Sequence, residues 1–224
     1  HSVSGNYVLI FNGEIYNHQY LRSELESISN RNWIGHSDTE TLLASIEEWG
    51  IENTLTKVKG MFAIALWDKR SKNLYLSCDR IGEKPLYWGW AGKDLIFGSE
   101  LKALREHPDC SKGICRKALM KYLRFMYVPA PLSIHAGIYK LEPGTILSVK
   151  NFPPAKHPNK PIRPGENYHS ISMHRYWNFN EEVKIGASNL IEDESDAILI
   201  TEKVLSQAVK RQMISDVPLG AFLS

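Results

Sequence analysis

Asn12-Gly13-Glu14 is the first group in the chain whose residue types and spacing could carry out chemistry. A glycine amide beside an asparagine side-chain amide supplies two neutral donors that can point at one oxygen, and an oxyanion hole for acyl transfer requires such a pair. Asn-Gly is also the strongest short turn signal, so a hairpin turn or a strand-to-helix corner is the structural alternative. These three residues alone do not decide between the two.

Asp38 is the second candidate, because it stands at the predicted start of a helix. Residues 37–40 match a capping box, in which Ser37 caps the helix and Glu40 closes the box, while Asp38 adds charge at the positive helix end. A carboxylate at this junction could also bind a substrate ammonium group. Both roles can hold at once, because the cap would fix the position of the carboxylate.

The remaining polar motifs indicate less chemistry. Asp79–Pro85 is a charged turn between strands, for which an internal ion pair or a solvated loop is the default interpretation. Cys78, Cys110 and Cys115 have neither zinc-finger spacing nor a histidine in a telling position, so we expect no metal site and no cysteine nucleophile among them. Ser215–Ser224 could lead into a phosphate-binding loop, which by itself is a weak signal.

Strand and helix signals interleave along the chain. Strands are predicted at Asn6–Phe11, Met61–Trp67, Leu74–Ser77, Leu86–Trp90, Leu95–Phe97 and Val217–Leu223. Helices are predicted at Tyr16–Ser27, Thr41–Trp49, Ser99–Glu106, Arg116–Met126 and Ala197–Met213. Gly137–Leu141 and Thr145–Val149 are predicted to form a hairpin around Pro143-Gly144. Phe152–Pro164 holds five of the eleven prolines, which indicates a linker or a long irregular excursion.

Composition excludes several classes of protein. The chain has 224 residues, 27 Lys and Arg, 25 Asp and Glu, and a formal charge of +2, which gives no support for nucleic acid or an anionic membrane as a partner. Its longest apolar runs, such as Met61–Trp67, are far below the roughly 20 residues of a membrane helix. Three cysteines rule out a disulfide scaffold and indicate a reducing compartment, so we expect a cytoplasmic protein.

Six sequence blocks occur together in an order that resembles the glutamine-hydrolysing asparagine synthetases. The blocks are Val8–Asn17 (VLIFNGEIYN), Gly35–Thr41 (GHSDTET), Lys59–Leu66 (KGMFAIAL), Asp79–Tyr87 (DRIGEKPLY), Phe97–Leu104 (FGSELKAL) and Asp216–Ser224 (DVPLGAFLS). The NGEIYN and SDTE blocks are similar to those of class II glutamine amidotransferases. The last block is similar to the strand before the pyrophosphate loop of an ATP-using synthetase domain.

The resemblance implies an α+β fold in three parts. Residues 1–150 would form the glutaminase domain, an N-terminal-nucleophile hydrolase-type αββα sandwich that is incomplete here. Residues 151–189 would be a proline-rich linker or insertion. Residues 190–224 would form the first helix and strand of an α/β ATP-pyrophosphatase domain.

The resemblance also implies a reaction, in which ammonia released from L-glutamine converts L-aspartate to L-asparagine at the expense of ATP. Asn12 and Gly13 would form the oxyanion hole and bind glutamine, Glu14 would lie against the glutamine, and Asp38 would bind its α-ammonium group. The family's nucleophile is a first-residue cysteine whose own α-amino group acts as the base. No cofactor is implied for the glutaminase part.

The resemblance places the ATP site, with Mg²⁺, in the second domain, where Leu223 and Ser224 would contact the nucleotide. It leaves a homodimer open. The chain begins with His1-Ser2 rather than Cys-Gly-Ile and ends at Ser224, so we expect an internal fragment that has neither glutaminase nor synthetase activity. In the family's sandwich the missing N-terminal strand is central, so its absence would expose strand edges, and we expect the fragment to fold poorly.

Three other functions stay open at this point. A related enzyme could use the same two domains to amidate or cyclise another carboxylate. A non-catalytic binding module could keep the glutaminase fold without its nucleophile. Amidotransferases with a sugar-phosphate or phosphoribosyl domain are a poorer match, because they lack the strand of the ATP loop.

Overall fold

The computed structural model describes residues 1–154, 156–213, 218 and 220, which contain nine strands and six helices. The strands are β1 (Tyr7–Ile15), β2 (Gly60–Asp68), β3 (Asn73–Cys78), β4 (Tyr87–Ala91), β5 (Asp94–Gly98), β6 (Ile138–Lys140), β7 (Thr145–Val149), β8 (Asn167–Tyr168) and β9 (Ile171–Arg175). The helices are α1 (His18–Ile28), α2 (Asp38–Lys57), α3 (Leu101–Arg105), α4 (Arg116–Phe125), α5 (Phe179–Ala187) and α6 (Glu194–Gln212).

The larger of two antiparallel sheets has the strand order β1-β2-β3-β7-β9-β8, so β1 lies at one edge. Its β2 strand is apolar over most of its length, and alternate side chains point to opposite faces. Ile64 and Leu66 pack with α1 and α2, whereas Ala63 and Ala65 pack towards Trp88 of the second sheet. Each large side chain buried in this way contributes about 1.5–3 kcal/mol.

The smaller sheet has the order β5-β4-β6 and lies against the face of the larger sheet that the helices leave uncovered. Leu104 of α3 packs with Ala91 and Ile138 on its other side. Helices, large sheet, small sheet and a short helix therefore follow one another, which confirms the expected α+β sandwich of αββα type.

The hairpin expected between Gly137–Leu141 and Thr145–Val149 is wrong, because the two strands belong to different sheets. β6 pairs with β4, whereas β7 pairs with β3 and β9. The Pro143-Gly144 segment turns, but it carries the chain from one sheet to the other. The Gly144 amide donates to the Asp79 carbonyl at 2.9 Å, and the Gly144 carbonyl accepts from the Tyr176 amide at 2.9 Å.

The larger sheet reaches beyond residue 150, the end of the expected glutaminase domain. Phe152–Pro164 is irregular, as its prolines predict, but Phe152 packs edge-on against Trp67 and Ile162 is buried in the core between the sheets. After this excursion β9 pairs with β7 along its whole length. Among the described residues, the last strand of this sheet therefore ends at Arg175, inside the stretch expected to be a linker or insertion.

The predicted helices are present with shifted boundaries. Thr41–Trp49 is the first part of α2, which continues past a kink at Gly50 (φ +76°) to Lys57. The helix expected at Ala197–Met213 is α6, and none of its side chains is buried. The strand expected at Val217–Leu223 lies outside the described residues.

Candidate active site

Asn12, Gly13 and Glu14 lie inside β1, so the turn that Asn12-Gly13 could also indicate does not form. They pair with Ala63, Phe62 and Met61 of β2 in one continuous antiparallel register. A Cβ at Gly13 would collide with the carbonyl oxygen of Met61 and would lie 2.6 Å from the Cα of Phe62. Glycine is therefore needed here for the close approach of two strands, and its freedom to form a turn is not used.

The Gly13 amide points away from β2, out of the β1 edge of the sheet as the described residues form it. Bonds from the Tyr16 amide to the Lys59 carbonyl (2.8 Å) and from the Lys69 amide to the Asn6 carbonyl (2.9 Å) bracket the pairing of β1 and β2. Hydrogen-bonded and non-bonded pairs alternate between antiparallel strands, so Gly13 and Phe62 form a non-bonded pair. The Gly13 N–H group is thus directed away from β2, towards any ligand at the edge.

Asp38 lies at the same edge. Its Oδ2 atom accepts a hydrogen bond from the Ile15 amide at 2.9 Å, and the Ile15 amide points to the same side of β1 as that of Gly13. The other oxygen, Oδ1, lies 3.3 Å from the Thr39 hydroxyl, which donates to it. The structure therefore brings together the residues singled out from the sequence, Asn12 to Glu14 on β1 and Asp38 at the start of α2.

The Asn12 side chain has one partner among the described residues. Its amide nitrogen donates to the Ser99 hydroxyl at 3.1 Å, just after the end of β5. A side-chain amide carries two donor hydrogens, so one stays available beside the Gly13 amide. Nothing in the sequence indicates that Ser99, 87 positions away, holds this side chain.

The N-terminus of α2 has the predicted serine cap but lacks the predicted closure of the box. The Ser37 hydroxyl accepts from the Glu40 amide at 3.2 Å. The Glu40 carboxylate accepts instead from the amides of Ile34 (2.7 Å) and Gly35 (3.0 Å). The predicted hydrogen bond from the Ser37 amide to the Glu40 carboxylate does not form, because residues 33–36 fold back over the helix end and bring their own amides to that carboxylate.

Arg22 of α1 holds this loop in place. Its guanidinium donates to the Gly35 carbonyl at 2.9 Å and the Thr41 hydroxyl at 3.3 Å, and lies 3.5 Å from the Glu40 carboxylate. The same group stacks 4.1 Å from the centre of the Trp33 ring. These contacts fix the corner from which Asp38 projects.

Asp79 is the residue that sequence reasoning missed. Its side chain is 1% exposed and binds backbone amides, so neither an ion pair nor a solvated loop describes it. Five amides donate to its carboxylate: those of Phe62, Ile81, Gly82, Glu83 and Lys84. An aspartate shortly before a glycine in a turn is the signal that could have indicated this role.

The carboxylates around Asp79 and β1 lie close enough to affect one another. Burial raises the pKa of the Glu83 carboxyl, and the nearby Asp79 charge raises it further. The pKa of the Tyr16 hydroxyl is raised by burial first, and then by Glu83, Glu14 and Asp79. The surroundings of Glu14 are therefore acidic.

The three cysteines lie in buried or half-buried positions where they contribute to packing. Burial, and then the adjacent Asp79 charge, raises the pKa of the Cys78 thiol to about 12, and its Sγ donates to the Glu142 carbonyl at 3.3 Å. Cys110 packs under the small sheet with Leu104. Cys115 is half-buried at the start of α4.

Several other predictions concern cofactors and the membrane. Within the described ranges, no three His, Cys, Asp or Glu side chains cluster as a metal site would require. Leu223 and Ser224, the expected contacts to ATP, lie outside those ranges. None of the described helices is both long and apolar enough to cross a membrane.

Comparison with known proteins supports the resemblance seen in the sequence. The glutamine amidotransferase domain family matches residues 1–158. Two asparagine synthetases (glutamine-hydrolysing) of Bacillus subtilis, numbered 1 and 3, are 35% and 31% identical over 97% of this chain. The chain spans about a third of their length, 30% and 32%.

A solved structure confirms the fold. The glutamine phosphoribosylpyrophosphate amidotransferase of B. subtilis aligns with a TM-score of 0.50 at 19% identity, over 79% of this chain and 30% of that one. At that identity the likeness concerns the fold alone. From the family match over residues 1–158, and from its relatedness to the asparagine synthetases, we conclude that this chain belongs to the glutamine amidotransferase domain family.

Proposed function

We propose that this chain is the glutamine-hydrolysing part of a longer asparagine synthetase. The observation that carries the proposal is the 2.9 Å hydrogen bond from the Ile15 amide to Asp38, which places a carboxylate beside the outward-facing amide of Gly13. An anionic group and two neutral donors at one sheet edge suit an amino acid whose side-chain amide is to be cleaved.

In this proposal each residue has a separate task. The Gly13 amide and the Asn12 side-chain amide donate to the carbonyl oxygen of glutamine, and their bonds strengthen as that oxygen gains negative charge. Asp38 accepts from the α-ammonium group as a charge-assisted partner. Glu14 lies against the substrate between them.

The nucleophile in this proposal is a cysteine outside these 224 residues. A thiolate must attack the amide carbon, ammonia then leaves, and water releases glutamate from the thioester. Cys78 is an unsuitable nucleophile because its thiol is buried, donates a hydrogen bond to the Glu142 carbonyl and stays protonated at neutral pH. We therefore infer that the chain by itself does not hydrolyse glutamine, and glutamate release above blank by the purified chain would contradict this.

The proposal that ATP activates L-aspartate is supported by the relatives that this chain matches. Proteins named asparagine synthetases match 97% of the chain, including residues past position 158 where the amidotransferase family match ends. We infer that a further domain uses ATP with Mg²⁺ to activate L-aspartate, and that Leu223 and Ser224 contact the nucleotide there. Ammonia then displaces AMP and gives L-asparagine.

The test is to incubate the full-length protein with L-glutamine, L-aspartate, ATP and Mg²⁺ and to measure glutamate, asparagine and AMP. The proposal expects all three products, in nearly equal amounts. Glutamate and AMP without asparagine would replace it with an amidotransferase or cyclase that acts on another carboxylate. No glutamate at all, from a folded protein, would support a non-catalytic module.

A further inference from the structure

Asp79 is a buried carboxylate to which the proposed reaction assigns no task. It lies directly after β3, it is 1% exposed, and none of the described cations forms an ion pair with it. Its five partners divide between its two oxygens: Ile81 (3.2 Å), Gly82 (2.7 Å) and Glu83 (2.9 Å) donate to Oδ1, and Phe62 (3.2 Å) and Lys84 (2.9 Å) donate to Oδ2. A carboxylate is suited to this place because it accepts hydrogen bonds without donating any.

Phe62 connects Asp79 to the candidate site. Its amide donates to Asp79 Oδ2 at 3.2 Å, and its carbonyl accepts from the Asp79 amide at 2.9 Å, so Asp79 binds both backbone groups of this residue. Phe62 is also the residue of β2 that lies opposite Gly13. A Cβ at Gly13 would lie 2.6 Å from the Phe62 Cα, so the backbone of Phe62 is the surface against which Gly13 rests.

We propose that Asp79 is a positioning residue for glutamine hydrolysis, because its carboxylate holds the segment of β2 that supports Gly13 and so fixes the direction of the Gly13 amide. This inference rests on the proposed function, in which that amide stabilises the oxyanion. Hydrogen-bond donors of this kind stabilise the transition state only within a narrow geometry, and small displacements cost rate rather than substrate affinity.

Asp79→Asn is the variant that tests the proposal. Whichever way the new side chain turns, its NH₂ group faces backbone amides that also donate. We expect it to face Phe62 and Lys84, because that side has two amide donors and the other side has three. The variant then keeps the bonds to residues 81–83 and releases the Phe62 amide.

Asp68→Asn is the matched control. Asp68 is the last residue of β2, the strand that Asp79 contacts through Phe62, and its carboxylate also accepts from backbone amides, those of Arg70 at 2.9 Å and Ser71 at 3.3 Å. It lies opposite Tyr7, at the far end of the β1–β2 pairing from the Asn12–Asp38 site. The two variants make the same chemical change at carboxylates that accept from backbone amides, one beside the Phe62 end of β2 near Gly13 and one at the far end of β2.

The experiment measures kcat and KM for glutamine with the full-length protein, together with hydrogen exchange of peptides that cover residues 10–16 and 60–66. We expect Asp79→Asn to lower kcat on the order of 10- to 100-fold with KM within about twofold, and to speed exchange in both peptides. Asp68→Asn should leave kcat and KM within about twofold of the parent. A wild-type kcat in Asp79→Asn, or an equal loss in Asp68→Asn, would overturn the proposal.

Two further measurements distinguish failure of the Asp79 proposal from failure of the proposed function and from failure of the variant to fold. If the wild-type protein releases no glutamate, the proposed function itself has failed. If Asp79→Asn does not fold, Gly82→Ala strains the same turn more mildly, because Gly82 has φ +74° and its amide donates to Asp79. We expect Gly82→Ala to lower kcat without changing KM, and an unchanged kcat would again overturn the proposal.

Discussion

Replacing Asp38 with asparagine separates the binding of glutamine from the support of the fold. The Asp38 carboxylate accepts from the Ile15 amide at 2.9 Å, and an asparagine oxygen can accept the same bond. Shape and size are almost unchanged, so the junction between β1 and α2 stays intact. What is lost is the negative charge that is proposed to face the α-ammonium group.

The size of the effect follows from that lost charge. A hydrogen bond to a charged group contributes about 1.5–3 kcal/mol, and about 1.4 kcal/mol corresponds to a factor of ten. We therefore expect kcat/KM for glutamine to fall roughly 10- to 150-fold. The fall should appear mainly in KM, because the ammonium group is bound alike in the ground state and the transition state.

Ser37→Ala is the control for the same helix end. It removes the cap to the Glu40 amide at 3.2 Å and leaves Asp38 in the sequence. The loss of such a cap costs about 1 kcal/mol of stability, whereas Asp38→Asn should cost less than that. The assay is glutamate release by the full-length protein, with calorimetry for Tm. A KM within twofold of wild type in Asp38→Asn, or an equal rise in Ser37→Ala, would refute the role of Asp38.

One labelling experiment and two substitutions test the surroundings of the site in the full-length protein. Cys78, with its thiol pKa raised to about 12, should resist alkylation by iodoacetamide at pH 8 in the folded protein and react after unfolding; equal labelling rates would contradict its burial. Tyr176→Phe removes the hydroxyl that donates to the buried Cys78 carbonyl at 2.8 Å, and should lower the free energy of unfolding by about 1–3 kcal/mol in a denaturant titration; no change would mean that the carbonyl finds another donor. The raised pKa of Glu83 means that the folded state binds its proton more tightly than the unfolded state, so ionised Glu83 destabilises the fold as pH rises above the ordinary value of 4.5. Glu83→Gln should therefore raise Tm at pH 7, by an amount that disappears as pH falls below 4.5; a constant difference across that range would contradict the cause assigned.

Local features of the site could be predicted because they depend on neighbouring residues. Ser37 caps α2 through a bond to a residue three positions along, and the apolar residues of Met61–Trp67 indicate a strand without reference to their partners. The resemblance then placed Asn12, Gly13, Glu14 and Asp38 in one site. The structure agrees that they lie together, while their chemical roles stay predictions.

Features that depend on distant partners could not be predicted from the sequence. Asn12-Gly13 indicates a turn only if nothing pairs with it, and β2, about fifty residues away, does pair with it. The strands around Pro143-Gly144 are close enough in sequence for a hairpin, but each finds a better partner in a different sheet. The role of Asp79 depends on near and distant partners together. Its bond to the Gly82 amide lies within one turn, whereas its bond to the Phe62 amide joins residues 17 positions apart in the chain.

The order of strands in the larger sheet has a consequence for how the chain folds during its synthesis. β1, β2 and β3 can pair as soon as they leave the ribosome, but the next strand of that sheet, β7, follows only after the whole smaller sheet has been translated. At roughly 5–20 residues per second, this leaves the outer edge of β3 waiting for several seconds. Leu74 to Ser77, which later pair with β7, are the segment that we expect a chaperone to cover in that interval.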